Sequence, residues 1–220
     1  MKFLNNIWIS FILLLIIATI SCDSEIERNH KYFRLKEPRI APLAESQWSQ
    51  EQIKLLAPRK REDGSVINVY KTLARHPKLF ERFVKFNSVL YEKSLSDRDR
   101  EILILRICWL CQAKYPFGRH TLESKEFGLT DEEILRITKG PDELGWSISE
   151  ATLITAADEL YNDSIISDKT WETLSEHYTE EQIMYVIFTV GSYNLISWAL
   201  NSLGVQIDEG APGFPVELNK

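Results

Sequence analysis

Four helix-start signals along the chain constrain its fold more than any other feature. In each, a serine or threonine is followed three residues later by an acidic side chain or a glutamine: Ser96 with Asp99, Thr130 with Glu133, Ser147 with Glu150, and Thr179 with Gln182. A hydroxyl and a carboxylate or amide at this spacing satisfy backbone donors that the first helical turn leaves unpaired. Each pair therefore predicts the start of a helix.

Apolar side chains recur at helical spacing after three of these signals. The three sets are Ile134 and Ile137; Leu153, Ala156, Ala157 and Leu160; and Ile183, Val186, Ile187 and Val190. Steps of three and four are the helical period, and Gly128 and the pair Gly140-Pro141 follow periodic runs as helix terminators do. No pair of alternating strands joined by Asn-Gly or Asp-Gly occurs. The sequence therefore predicts an all-α fold, and 220 residues with 44% hydrophobic content suffice for one domain with a sizeable core.

The N-terminus has the pattern of a targeting segment. Lys2 precedes an apolar stretch of 14 residues, 7–20, which ends in Thr19-Ile20-Ser21-Cys22. This pattern resembles a bacterial lipoprotein signal, so residues 1–21 are predicted to be removed and Cys22 to be acylated. The protein would then be exported and anchored to a membrane through a lipid, on the periplasmic or cell-surface side. An uncleaved membrane helix is the alternative, although 14 residues are fewer than the roughly 20 that span a bilayer.

Charge and composition exclude some partners and place the segment boundaries. The formal net charge is −6, and a mildly acidic chain lacks the clustered basic face that a phosphate backbone requires. We therefore expect no nucleic-acid partner. Residues 22–37 are polar and lack an apolar period, which is typical of a tether, and the predicted domain covers residues 38–210. Residues 211–220 are predicted to be a C-terminal tail.

The stretch from Asp99 to His120 is where chemistry is most concentrated. A hydrophobic helix is predicted to end in this stretch, and a turn follows it. Near that turn the sequence places the aromatic hydroxyl of Tyr115 and the imidazole of His120. Pro116 fixes its own φ and disfavours helical geometry at the residue before it. One helix is therefore expected to end near Lys114 and the next to begin with Pro116 at its first position. Sequence spacing alone does not bring Glu101 to His120.

This stretch resembles the carboxymuconolactone decarboxylase and alkylhydroperoxidase D-like family. Redox members of that family carry Glu, eleven residues, Cys-x-x-Cys, three residues and His. Glu101 and His120 occupy the first and last of these positions, but Ala113 and Pro116 stand at the two cysteine positions. Four further runs fit the family: 68–77, 128–134, 156–160 and 199–206. The resemblance covers residues 38–210 and identifies a variant without cysteines at the usual redox motif.

The resemblance implies a compact helical domain that forms a homotrimer or hexamer, with a pocket near Glu101 and His120. If Tyr115 converges with them, the carboxylate orients an imidazole that acts as a general acid or base. The predicted chemistry is then cofactor-free and metal-free, and its substrate is a small carboxylic acid or lactone. The alternative is structural: Glu101 is a first-turn carboxylate favoured by the helix dipole, and His120 bonds a neighbour.

Two other functions remain open at this point. Cys108 and Cys111 also read Cys-x-x-Cys, five residues before the family position, and a spacing of three places them on one helix face. The two cysteines are therefore predicted to be either thiols packed in the core or an alkylhydroperoxidase-type dithiol that reduces peroxides. The third hypothesis is a non-catalytic oligomeric binding module that kept the scaffold after losing its cysteines. No histidine joins the two cysteines at the spacing of a zinc site.

Overall fold

The structure is a computed structural model, and it describes residues 35–92 and 94–215. Within these ranges the chain forms α-helices and no strand, which confirms the all-α prediction. The helices are α1 (Gln50–Leu56), α2 (Asn68–Leu73), α3 (Pro77–Val89), α4 (Asp97–Leu110), α5 (Lys114–Glu126), α6 (Asp131–Lys139), α7 (Ile148–Asn162), α8 (Asp168–His177) and α9 (Glu180–Leu203). The predicted signal segment 1–21 and Cys22 lie outside the described residues, as does most of the predicted tether.

The helix starts lie where the sequence signals predict them. Thr130, Ser147 and Thr179 each accept a hydrogen bond from a backbone amide three residues on, and the side chain at that position accepts one from the backbone amide of the cap residue. Ser96 also accepts from the Asp99 amide. Because the unpaired amides of the first turn are satisfied locally, each start is fixed by short-range chemistry.

Helix α4 is the centre of the domain. Every residue of its segment 100–108 is buried, and the helix packs against α5, α6, α7 and α9. A helix that is apolar on all sides is stable only when other helices surround it. Three charged side chains of α4 are buried and have partners: Arg106 forms an ion pair with Asp158 of α7, and Arg100 and Glu101 are described below.

A second, smaller apolar cluster lies in the N-terminal part of the domain. Its buried members are Leu43, Leu56, Val66, Ala74 and Phe80, which come from α1–α3 and the loops around them. Side chains of this part of the chain face α5 and α9 across a cavity. The fold therefore places a pocket between two separately packed groups of side chains.

The turn between α4 and α5 differs from the sequence prediction. Helix α4 ends at Leu110, and Gln112 has a φ of 51°, a left-handed conformation that an α-helix cannot continue through. Helix α5 then begins at Lys114, so Pro116 is its third residue and not its first. The predicted end of α4 near Lys114 was four residues too late, because the left-handed Gln112 stops the helix first. The predicted start of α5 at Pro116 was two residues too late, because the amides of a first turn have no intrahelical acceptor and a proline therefore costs no hydrogen bond at any of these positions.

The segment after α9 packs back onto this helical hairpin. Phe214 contacts the rings of Trp109 and Phe117, with centroids 5.3 and 5.1 Å apart. A Cβ atom on Gly118 would lie 1.8 Å from the carbonyl oxygen of Pro212, so only glycine permits this approach. The packed structure thus continues to Pro215, beyond the start of the predicted tail at residue 211.

Helix α9 is the longest element and is buried on one side only. By length and composition alone it could cross a membrane, a property that the core helices of soluble proteins share. Its inner face, which includes Ile183, Val186, Val190 and Tyr193, joins the main core. Less than half of the residues in the most apolar part of the helix are buried, however. The outer face is therefore largely exposed.

Candidate functional site

Glu101 is a buried carboxylate in the first half of α4. It is fully inaccessible to solvent, and its two oxygens have different partners. Oε2 lies 2.6 Å from Nδ1 of His120, and Oε1 lies 3.3 Å from the guanidinium of Arg100. Arg100 also donates to Asp97, one turn earlier. A carboxylate can be held at this depth because charged donors replace its lost hydration.

His120 reaches Glu101 because α4 and α5 run antiparallel. The turn at residues 111–113 lies near the midpoint of the 19 residues that separate the two side chains, so positions on either side of it meet across the hairpin. The structure thus makes the contact that the family resemblance implies.

The structure does not bring the Tyr115 hydroxyl to His120. That hydroxyl donates to Oδ2 of Asp208 at 2.7 Å and accepts from the amide of Val69 at 3.2 Å. Five residues of α-helix correspond to a rotation of about 140°, so Tyr115 and His120 leave α5 in different directions. Tyr115 lines the cavity wall and fastens the segment after α9 to α5 and the start of α2.

A different tyrosine occupies the place predicted for Tyr115. The hydroxyl of Tyr193, on α9, lies 2.9 Å from Nε2 of His120, and the two rings meet edge to face. A second hydroxyl, that of Tyr91, lies 2.5 Å from that of Tyr193. No sequence pattern marked Tyr193 as a site residue. The available signal was weak: a tyrosine on the buried face of a helix needs a polar partner for its hydroxyl.

The groups from Glu101 to Tyr91 therefore form one hydrogen-bonded line, Glu101–His120–Tyr193–Tyr91, which we call the relay. Its inner end is fully buried, whereas Tyr91 is 40% exposed. Tyr91, His120 and Tyr193 line a cavity of about 390 Å³. Its other walls are mainly apolar: Ile67, Val69, Leu73, Phe80, Phe83, Val84, Ile196 and Leu200. The relay thus connects a buried carboxylate to an accessible pocket.

Two charged side chains of α5 complete the polar part of the cavity wall. Glu123 lies 3.5 Å from Nδ1 of His120, and it pairs with Arg119, which is half-buried. Burial disfavours the imidazolium form, but the charge of Glu101 and its hydrogen bond outweigh this effect and raise the pKa of His120. Burial raises the pKa of the Tyr193 hydroxyl well above its ordinary value. At neutral pH the relay therefore holds a readily protonated imidazole beside neutral phenols.

Glu101, His120 and Glu123 offer three donor atoms within 4.8 Å of one another, a spacing that metal ions use. The charges around them do not favour a divalent cation. Arg100 already balances Glu101, and Arg119 balances Glu123. A bound cation would face two guanidinium groups at close range, which costs electrostatic energy in a buried site. The site fits a proton relay better than a metal centre.

The two cysteines of the alternative redox hypothesis lie away from the relay's open end. Cys108 is fully buried in the main core, and burial raises the pKa of its thiol. Cys111 follows the last residue of α4, is partly exposed, and donates to Oδ1 of Asn194 at 3.0 Å. No disulfide joins Cys108 and Cys111. At the family's cysteine positions, Ala113 caps α5 and Pro116 lines the cavity.

Comparison with solved structures shows the same fold in several proteins. An alkylhydroperoxidase AhpD core protein from Ralstonia eutropha JMP134, described as peroxidase-related, has a TM-score of 0.70 at 16% identity and covers 78% of this chain and 93% of its own. A peroxidase-related protein from Silicibacter sp. TM1040 has a TM-score of 0.70 at 16% identity, and the match covers 80% of this chain and 96% of that protein. The debrominase Bmp8, in complex with 2,3,4-tribromopyrrole, has a TM-score of 0.66 at 11% identity, and the match covers 79% of this chain and 94% of that protein.

A search of curated protein sequences finds no match. The sequence model of the carboxymuconolactone decarboxylase family does match, over residues 77–159. That segment runs from α3 to α7 and contains every relay member except Tyr193. Residues 77–159 therefore match the carboxymuconolactone decarboxylase family, the described part of the chain has the AhpD-like helical fold, and Ala113 and Pro116 stand at the family's usual cysteine positions.

Proposed function

We propose that this protein carries out cofactor-free acid/base chemistry on a small carboxylic acid or lactone bound in the cavity. The observation that carries the proposal is the position of His120, whose ring bridges the buried Glu101 and the Tyr193 hydroxyl. A carboxylate that orients an imidazole is a common arrangement for general acid and base catalysis near neutral pH.

The relay can pass a proton outward, from His120 through Tyr193 and Tyr91 to a substrate in the cavity. In the imidazolium form both ring nitrogens donate, Nδ1 to Glu101 and Nε2 to Tyr193. The protons of the two hydroxyls then point outward, from Tyr193 to Tyr91 and from Tyr91 into the cavity. When Tyr91 gives its proton to a substrate, it takes one from Tyr193, which takes one from Nε2. His120 is left neutral, with its remaining proton on Nδ1 facing Glu101.

This transfer suits the decarboxylation of a small acid. The bond between the carboxylate and its carbon breaks, CO₂ leaves, and the electron pair left on that carbon takes the proton of Tyr91. Arg119 supplies a cation at the cavity wall that can hold the substrate's carboxylate, and the apolar walls suit a compact ring. A cavity of about 390 Å³ falls within the size range of small-molecule sites.

Peroxide reduction is the second candidate, because two of the similar structures are described as peroxidase-related. It would have to use Cys108 and Cys111. A thiolate is the reactive form of cysteine, and complete burial of Cys108 opposes its formation. We therefore place acid/base chemistry first.

The test measures both activities of the purified, detergent-solubilised full chain. One arm follows CO₂ release from carboxymuconolactone and related lactone acids, and the other follows loss of cumene hydroperoxide with dithiothreitol as reductant. Tyr193→Phe should reduce CO₂ release by about 10²-fold, because it interrupts the relay while preserving the ring.

Tyr178→Phe is the matched control, since it removes another partly buried hydroxyl, which bonds Asp99 outside the cavity. It should leave CO₂ release unchanged. Hydroperoxide loss without CO₂ release would favour the second candidate. Binding of a lactone acid without turnover in any form would favour a binding module.

We also propose that the protein acts outside the cytoplasm, as a lipoprotein anchored through Cys22. This proposal rests on the lipoprotein-like pattern of residues 1–22. The homotrimer or hexamer implied by the family resemblance likewise remains a prediction.

A further inference from the structure

An apolar stripe runs along the outer face of α9. Met184, Phe188, Leu195 and Trp198 are each 50–59% exposed, and Gly191 is exposed between them. The successive steps are four, three, four and three residues, which is the spacing of the a and d positions in a heptad repeat. Side chains at this spacing form a straight seam along a helix. The seam is the surface that one helix presents to a second helix.

The seam continues onto α3. Phe86 packs its ring edge-on against Phe188 at a centroid distance of 6.3 Å, and Val89 lies one turn further along. Phe86 and Val89 are 46% and 42% exposed. With Met184 and Phe188 they line a second, entirely apolar cavity of about 230 Å³. We call the six apolar side chains and Gly191 the α9 face.

The area of the α9 face is large for a monomer's surface. An aromatic side chain covers roughly 150–250 Å², so six side chains that are about half exposed present on the order of 600 Å². Isolated monomers rarely expose a larger continuous apolar patch than this. Two such faces in contact would bury about 1,200 Å², the lower limit for a stable protein–protein interface.

Gly191 has no explanation inside one protomer. Its φ is not positive, and a Cβ atom built on it meets nothing within 4 Å. A glycine inside a helix lowers stability by roughly 1 kcal/mol relative to alanine. What glycine does permit is the close approach of another backbone. Its place at the middle of the seam indicates where that backbone would cross.

We infer that the α9 face binds a second copy of this chain, with the two α9 helices antiparallel across a two-fold axis at Gly191. Met184 lies seven residues before Gly191 and Trp198 seven residues after it. In this arrangement Met184 of one protomer therefore meets the partner's Trp198, and Phe188 meets the partner's Leu195. A two-fold interface requires such self-complementarity.

Charges at the ends of the seam support the antiparallel direction. The seam itself contains no charged side chain, so no like charges meet along it. Glu180 begins α9, whereas Arg39 donates to the carbonyl of Ser202 at the other end of the helix. Antiparallel pairing places Glu180 near the partner's Arg39, and it also brings opposite helix-dipole ends together. Parallel pairing would place the glutamates side by side.

This interface does not depend on the proposed chemistry. A two-fold contact is present in a dimer and in a hexamer with three-fold and two-fold axes, but not in a simple trimer. Of the two assemblies that the family resemblance implies, it favours the hexamer.

Disulfide cross-linking of the full-length protein in membranes from expressing cells tests the inference. After mild oxidation with copper phenanthroline, Gly191→Cys should give a covalent dimer on non-reducing gels, because the two positions meet at the axis. Met184→Cys alone should not, since antiparallel copies hold its two positions about 21 Å apart along the helix axis at 1.5 Å per residue. Met184→Cys combined with Trp198→Cys should cross-link. The wild-type chain measures any contribution of Cys108 and Cys111.

A matched pair of leucine variants tests whether the apolar seam drives the contact. In the Gly191→Cys background, Leu195→Glu should reduce the cross-linked fraction at least tenfold. Leu144→Glu places the same charge on a leucine that is 91% exposed outside the face, and it should change nothing. Circular dichroism confirms folding, and Gly191→Glu, in the Met184→Cys, Trp198→Cys background, provides a second disruption at a position with free space around it.

Other outcomes would overturn the inference. Self-cross-linking of Met184→Cys would show parallel pairing. An absence of cross-links at Gly191 in the folded protein, with quenching of Trp198 fluorescence by brominated lipids, would show that the face lies on the bilayer. Equal cross-linking of the Leu195→Glu and Leu144→Glu variants would show that the seam does not hold the copies together.

Discussion

At the scale of single residues, the site depends on how a buried charge is compensated. Glu101 has no access to water, yet Arg100 and His120 bond its two oxygens. Removing one partner of a buried pair leaves the other without compensation, a larger loss than the pair's net contribution. The carboxylate and the imidazole are therefore expected to act as a unit.

The first prediction tests this unit by kinetics. His120→Asn should lower turnover of a lactone acid by roughly 10²–10⁴-fold, because the group that takes and gives the proton is lost. Glu101→Gln should also lower turnover, and the double variant should be hardly worse than the worse single variant, since both groups belong to one relay. Steady-state rates give the three values, and circular dichroism checks the fold. If the single variants unfold, the two residues are structural.

The second prediction concerns pH and stability. The pKa of His120 is raised above its ordinary 6.5 in the folded protein. The stabilisation by its charged form is therefore complete below about pH 6.5 and is lost as the pH rises through the folded-state pKa. Urea unfolding between pH 5 and 9 should show stability falling over this window, and His120→Asn should lack that fall. A fall of equal size in the variant would assign it to another group.

The third prediction is that the thiols are dispensable. A Cys108→Ala, Cys111→Ala variant should fold, with a loss of roughly 1–2 kcal/mol from the space left by the buried sulfur. It should keep the decarboxylation rate of the wild type, which CO₂ release measures. Hydroperoxide turnover that disappears in this variant would reverse our order of the two candidate functions.

At the scale of helices, the central helix is held by ion pairs that cross to its neighbours. Arg106 of α4 forms a two-point pair with Asp158 of α7, at 2.5 and 2.8 Å, and also donates to the carbonyl of Ile137 at the end of α6. One guanidinium thereby joins three helices. Arg98 does the same near the start of α4, where it pairs with Glu133 and Glu150.

The fourth prediction follows from the Arg106 pair. Asp158→Ala should lower the free energy of unfolding by about 2–4 kcal/mol, because it leaves a buried guanidinium without its anion. The midpoint of urea unfolding measures the change. Asp163→Ala, at the exposed end of the same helix, is the control and should shift the midpoint little. Equal shifts in both variants would show that the pair contributes nothing specific.

At the scale of the whole molecule, the cavity lies between two groups of packed side chains. The small cluster from α1–α3 forms one wall, and α5 with α9 forms the wall that carries the relay. The segment after α9 links the two sides, because Asp208 accepts from the Tyr115 hydroxyl and from the amide of Asn68. A substrate in the cavity would therefore contact both parts of the domain.

The fifth prediction concerns where the whole molecule resides. Cys22→Ser should move the protein from the membrane fraction to the soluble fraction, since it removes the site of acylation. Fractionation with an alkaline wash measures the distribution. If the variant stays bound as the wild type does, residues 7–20 anchor the chain as an uncleaved helix.

The sequence by itself determined the helices. Thr130, Ser147 and Thr179 begin helices because their caps need only residues three positions away. The end of α6 at Gly140 is equally local, with a φ of 121°. The predicted start of α5 was too late because a proline is tolerated at several positions of a first helical turn, so Pro116 alone does not fix where the helix begins. Interactions within one turn can be read from a single segment.

Only the tertiary structure decided the composition of the site. The partner of His120 on its second ring nitrogen is Tyr193, 73 residues along the chain, and the Tyr115 hydroxyl bonds Asp208, 93 residues away. Both side chains were visible in the sequence, but no local pattern distinguishes a tyrosine that meets a histidine from one that meets a carboxylate. That choice is made by how α9 and the segment after it pack on α5, and packing depends on the whole chain at once.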